Sequence, residues 1–283
     1  MSYVYLIQQN LIKKIENTLK ITGIENIDKG DRVVIKLHMG EYGNLNYVRP
    51  PVVGKIVDVI KKIGGKPFLF DTPTLYRGSR FTVGGYSKTA RSNGFTKETV
   101  GCPILISDRG VNIKIDKLLK SVDVAKYLHD ADAIVVISHV KGHEMSGFGG
   151  AIKNLGMGGV TRKGKAMVHM RHFPDSLSDA AYAALKSFDN NKKFFVNVLL
   201  DISPKCDCLP LGSVDTGFPI CGNIGILFSV DPVAIDIASI DLINKKTGKN
   251  VFYEIHKVEP KTHIEYASKL GMGNTKYQLK ILE

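Results

Sequence analysis

No run in this chain approaches the ~20 consecutive apolar residues that a membrane-spanning helix needs. The opening residues, MSYVYLIQQNLIKK, have no basic segment leading into an apolar core and a cleavage site. No secretory signal is read there, and a cytoplasmic location is expected. Cysteine is sparse: Cys102, Cys206, Cys208 and Cys221 are the whole supply, with no C-x-x-C pair among them. That excludes a ferredoxin-type cysteine run and the paired zinc-finger spacing. The glycines do not form a Walker A loop, which would end in Gly-Lys-Ser/Thr, and they do not cleanly match the dinucleotide fingerprint. There is no internal repeat, no low-complexity segment and no clear linker.

What is present describes a globular α/β chain. Its 283 residues are 43% hydrophobic, which suits either one large unit or two lobes around a cleft, with a weak boundary near Gly110 or Asn190. Apolar runs of strand length alternate with amphipathic helical segments, which points to an α/β fold with a mostly parallel sheet flanked by helices. The spacing predicts strands over 33–37, 66–70, 133–138 and 193–202, and helices over 51–65, 174–188 and 233–243. It also predicts a helix over 122–129, a possible hairpin from 103–107 and 112–115, and a helix starting near Phe148. Asp231 followed by Pro232 reads as an N-cap with proline in the first turn.

The formal charge is +12. It is spread along the chain with no basic tail and no interleaving of basic and aromatic residues, so a solvated lysine-rich surface accounts for most of it. An anionic small molecule drawn to a positive cleft is a better use of the excess than nucleic acid.

The unusual residues follow strands. His38 and Glu41 come after the second, Asp71 ends the third, and His139, Lys141, His143 and Glu144 follow the run at 133–138. Cys206, Asp207 and Cys208 follow the run at 193–202. Open α/β sheets bind ligands at the carboxyl ends of their strands, so these loops are expected to meet in one crevice. The stretch 147–159 adds Gly149, Gly150, Lys153 and Asn154, and is read either as an anion cradle at a helix start or as close packing of a loop. Lys36, Lys153 and Lys165 are candidates for holding the anion, and His143 and His169 for moving protons. A C-x-C pair sets two thiolates on one side of an extended backbone, so Cys206 and Cys208, with Cys221 as a third, could hold zinc or an iron–sulfur cluster. The plain alternative is two cysteines beside a turn, and Cys102 reads as core.

KLHMGEYGN at 36–44, DTPTLYRGSR at 71–80, KGHEMSGFGGAIKNLGMGGVTRKGKAMVH at 141–169, DISPKCDC at 201–208 and DPVAID at 231–236 resemble the DUF362 family, in order and over most of the chain. Members are often labelled uncharacterised iron–sulfur centre proteins and often carry an inserted ferredoxin-like module. This sequence has no such module, so that cluster is not implied here. The resemblance does imply a role for Cys206 and Cys208 and for His38, His143 and His169. A more distant likeness, at the level of fold, is to the nickel-dependent lactate racemase family. Three readings follow. The first is a cytosolic metal- or cluster-binding protein acting as a redox or isomerising enzyme on an anionic small molecule. The second is a metal or cluster carrier without turnover. The third is a nucleotide- or phosphate-binding protein that uses 147–159.

Overall fold

Apolar runs without alternation make strands that are buried on both faces, and such strands need helices on both sides. The computed structural model, which describes residues 1–206 and 218–283, has that arrangement. In chain order the first elements are β1 (Ser2–Ile7), α1 (Leu11–Ile21), β2 (Arg32–Leu37), α2 (Pro50–Lys62), β3 (Lys66–Asp71), α3 (Val83–Ser92), α4 (Lys97–Val100) and β4 (Ile104–Ile106). Next come β5 (Gly110–Lys114), β6 (Ser121–Ala125), α5 (Lys126–His129), β7 (Ala133–His143), β8 (Gly147–Gly149), α6 (Ala151–Gly158), α7 (Arg162–His169) and α8 (Phe173–Leu185). The last are β9 (Lys193–Ser203), β10 (Gly225–Ser229), α9 (Pro232–Thr247), α10 (Val251–His256), α11 (Thr262–Lys269) and β11 (Tyr277–Leu282).

One nine-stranded sheet runs in the order β11-β1-β10-β9-β7-β2-β3-β4, with β8 folded back on β7. The block β9-β7-β2-β3-β4 is parallel throughout, and β10 is antiparallel to both of its neighbours. Alternate residues of the central strands feed two cores. Ile134 and Val136 pack with α6, α8, α9 and α11 on one face, while Val135 and Ile137 pack with α1, α2 and α3 on the other. The fold is therefore α/β with a mostly parallel sheet between helical layers. No described helix is long and apolar enough to cross a membrane.

Three local expectations change. Residues 121–125 form a strand, because Val122 and Val124 are fully buried while Ser121 and Asp123 are only half-buried, a period of two instead of 3.6. Only Lys126–His129 is helical. The hairpin is β5 with β6, whereas Ile104–Ile106 joins the main sheet beside β3. The third change is at Phe148, which sits in a strand, so the helix begins at Ala151.

The start of that helix has a particular neighbour. The Asp236 carboxylate on α9 accepts from the backbone N–H of Ala151 at 2.7 Å and of Ile152 at 3.0 Å, and from Asn197 Nδ2 at 2.7 Å. A Cβ at Gly150 would overlap this carboxylate, which is why glycine stands there. Burial lifts the Asp236 carboxyl to about 6, with the Ile152 N–H, Asn197 and the Ala151 N–H pulling it back down. The positive end of α6 is thus filled by the protein's own anion. Asp231 caps α9 as its sequence suggests, accepting from Val233 and Ala234 at 2.9 and 2.8 Å.

Asp236→Ala would leave three buried donors without their acceptor. It should cost about 3 kcal/mol or more in urea denaturation, well beyond a typical surface substitution.

Candidate functional site

A strand that ends inside a parallel sheet delivers its next residues to the carboxyl edge. Here β2 delivers His38, β3 ends in Asp71, and β9 leads on to Cys206. The fourth strand, β7, does not stop at the edge. It runs on to His143 because β8 pairs back on it, Lys141 opposite Gly149 and His143 opposite Gly147. The histidines and lysine expected in a loop are therefore on a strand, where alternation puts His139, Lys141 and His143 on one side. The partner strand β9 accommodates this with an irregularity between Val198 and Ser203, where Asp201 takes a left-handed φ of 51°.

These ends enclose a pocket of about 280 Å³. Among the residues proposed from sequence, Lys36, His38, Asp71, His143, Gly150, Lys153, Asn154, Lys165, His169 and Cys206 line it. So do Arg80, His139, Lys141, Met157, Gly158 and Phe173. Glu41 stands behind the wall. Its Oε2 accepts from Arg80 Nε at 3.0 Å, so it holds a cation that does line the pocket. Gly149 is not at the surface of the pocket, and a Cβ there would touch the stems of Lys141 and Lys153.

The floor is an ion pair. Lys36 Nζ lies 3.2 Å from Asp71 Oδ1, with both side chains at most 5% exposed, and donates to Asn154 Oδ1 at 2.7 Å. Asp71 also accepts from the Tyr86 hydroxyl and from its neighbour's N–H, Thr72, at 2.9 Å. Asn154 is fixed in turn by donating to Ile137 O at 2.9 Å and Ser138 Oγ at 3.0 Å. α6 comes this close because Gly158 has no side chain: a Cβ would overlap both Lys36 and Asp71. Burial holds the Lys36 amine below its ordinary range, with Asp71 opposing and Lys141 and Lys153 adding to the effect.

Lys165 enters from α7 and donates to Thr72 Oγ1 at 2.6 Å, to Thr72 O at 3.3 Å and to Pro73 O. Burial brings its amine down to about 7, Asp71 resisting and Lys36 and Arg80 assisting. Arg80 also bonds the Tyr76 hydroxyl. The imidazoles feel the same field. His38 is held well below the usual range by burial and then by Arg80, Lys141, Lys153 and Lys36. His143 is lowered similarly by burial, Lys153 and Lys141. Both are neutral near pH 7. The Gly40 N–H donates to His38 Nδ1 at 3.1 Å, which leaves the His38 proton on Nε2. His139 Nε2 donates to Leu200 O at 2.8 Å. His143 and His169 flank the Phe173 ring, at centroid distances of 5.8 and 4.9 Å.

The thiols of the described residues do not gather into a cluster site. Cys206 lines the pocket with Lys153 Nζ 3.7 Å from its sulfur. Cys221 does not line it; it packs against the core, and burial pushes its thiol up. Cys208 lies outside the described residues. Cys102 is buried in the core, its thiol raised to about 11 by burial. Among the described residues no three of His, Cys, Asp or Glu are grouped to hold a metal ion. A tetrahedral zinc or an iron–sulfur cluster needs three or four such donors, so the described donor set does not fit either.

Sequence reasoning gave no separate role to Arg80, Lys141, Met157, Gly158 and Phe173, although Lys141 and Gly158 stand in stretches it placed at the crevice. Lys141 was available from the alternation of β7. Phe173 and Gly158 had no local signal, because their roles come from helices packing across the sheet end.

Removing one member of a buried ion pair strands the other. Lys36→Met should cost about 3–5 kcal/mol in chemical denaturation. Lys36→Met combined with Asp71→Asn should be more stable than Lys36→Met alone, since no unpaired charge remains.

The Thylakoid-associated protein sll1697 of Synechocystis sp. is 29% identical over 161 residues, covering 54% of this chain and 47% of its own length. The chain thus spans about half the length of this curated relative. The structure of the lactate racemase apoprotein from Thermoanaerobacterium thermosaccharolyticum overlays with a TM-score of 0.39 at 16% identity, covering 71% of this chain and 51% of that one. That likeness is too loose to bear on chemistry. The family described as "Domain of unknown function (DUF362)" matches residues 33–241, from the first buried strand of the parallel block to the middle of α9, and the chain belongs to that family.

Proposed function

We propose that the pocket binds an anionic small molecule, a carboxylate or phosphate, and exchanges a proton with it, as an isomerising enzyme would. The observation that carries this is the charge of the lining. Lys36, Lys141, Lys153, Lys165 and Arg80 converge on one pocket whose lining carboxylates are Asp71 and Glu144. Asp71 is already engaged by Lys36 and Tyr86. Burial first, and then the neighbouring cations, disfavours the charged forms, which lowers the amines of Lys36 and Lys165 and keeps His38 and His143 neutral. An arriving anion relieves it.

Lys153, Lys141 and Arg80 hold the anion in this reading. Lys165, with an amine near 7, exchanges the proton, since a group titrating close to the working pH serves equally as acid and base. His169 lies at the exposed rim. The cradle reading of 147–159 is less well supported, because the Ala151 and Ile152 N–H groups are taken by Asp236. Redox chemistry at a cluster has no donor set among the described residues to support it. The reading retains a cytoplasmic location and gives nucleic acid no part.

The sign of the pH dependence follows from Lys165. Its protonated form favours the anion, and the bound anion raises its pKa, so binding takes up protons just above pH 7. Affinity for phosphate or acetate should therefore weaken as pH rises through and above about 7. Calorimetric titration in two buffers of different ionisation enthalpy would read the uptake. Lys153→Ala should weaken binding about tenfold or more. Deuterium from heavy water should enter one member of a panel of small carboxylates and phosphate esters, followed by NMR, and Lys165→Met should abolish it while circular dichroism stays unchanged. Wild-type protein that binds no anion would remove the reading.

A further inference from the structure

The cations account for only part of the pocket. On the same lining stand Leu75, Tyr76, Met145, Met157 and Phe173. Leu75, Tyr76 and Met145 are 37%, 44% and 42% exposed. Single exposed apolar side chains are ordinary, but three around one opening form a patch, and a patch next to a charged floor marks a binding surface of two characters. The flat groups are arranged to extend it. His143 lies nearly parallel to Phe173, at 13°, and its imidazole is kept neutral by burial and by the nearby lysines. A neutral imidazole beside a phenyl ring presents an apolar, polarisable surface, suited to an aromatic face.

We infer that the ligand is an anion carrying a single aromatic ring, with the acid group on the lysines and the ring against Leu75, Met145 and the His143–Phe173 pair. This rests on the anion-binding reading above and narrows its substrate class. The volume sets the upper limit. About 280 Å³ is at or just below the lower end of the ~300–1,000 Å³ typical of ligand pockets, enough for one ring and a charged head and too small for a dinucleotide. The arrangement also explains why the apolar side chains are tolerated in so cationic a cleft. The ring takes their exposed surface out of water while the head group neutralises the amines behind it.

Three probes separate the parts: inorganic phosphate, phenyl phosphate and phenol, titrated calorimetrically into the full-length protein at pH 7. Phenyl phosphate should bind about tenfold or more tightly than inorganic phosphate, with phenol weakest of the three. Leu75→Ser and Met145→Ser, both at exposed positions that the fold tolerates, should each bring phenyl phosphate down toward the affinity of inorganic phosphate. Equal affinities for phosphate and phenyl phosphate would overturn this inference and leave the anion pocket standing. Phenol as tight as phenyl phosphate would also overturn it. Failure of both phosphates to bind would remove the underlying reading along with it.

Discussion

Two opposite charges that are at most 5% exposed, Lys36 and Asp71, are the constraint around which this molecule is arranged. Taking an ammonium and a carboxylate out of water costs several kcal/mol each, and their attraction offsets this only when every remaining donor and acceptor is satisfied. Here the satisfaction comes from four elements at once. β2 supplies the amine, β3 the carboxylate, α6 the Asn154 amide and α3 the Tyr86 hydroxyl. None can shift without stranding a buried charge. The glycine at 158 is part of the same demand, since it lets the helix lie directly on the pair. A buried ion pair is weak as a source of stability but strong as a specifier of position, and position is what a site needs.

Around that floor the electrostatics are one-sided. Helix α6 contributes little net field at its start, because Asp236 occupies it. The positive potential of the pocket therefore comes from side chains, and the side chains feel each other. Burial is the first cause of the lowered Lys36, Lys165, His38 and His143, and neighbouring cations come after it. One result is that the Lys165 amine, ordinarily charged at neutrality, sits near its titration point. In the proposed function, proton transfer and anion binding are then two aspects of one equilibrium.

Much of this was legible in the chain. The mainly apolar runs at 33–37, interrupted by Lys36, and at 133–138, ending in Ser138, mark strands buried on both faces, and the polar residues that follow mark the carboxyl edge, so His38, Asp71, His143 and Cys206 could be placed together from sequence. The misreadings have physical causes. Residues 121–125 carry valines whose spacing suits two periods, and only pairing with Gly110–Lys114 decides between them. At Glu41 nothing local shows Arg80, 39 residues away, as its partner. Asp236 gave no sign that it would reach across 85 residues to close the start of α6. Thiol spacing suggested a shared site for Cys206 and Cys208 with Cys221; of these Cys206 lines the pocket, Cys221 packs against the core, and Cys208 lies outside the described residues.

The extension of β7 past the sheet edge has a last consequence. Side chains two apart on a strand are separated by a fixed interval of about 7 Å, so His139, Lys141 and His143 are graduations on a rigid rule. A loop could draw its groups inward to meet a shorter molecule; this strand, paired on both sides at Lys141, cannot. In the anion-binding reading, the length of the ligand is thereby set by the backbone itself, before any individual contact is made.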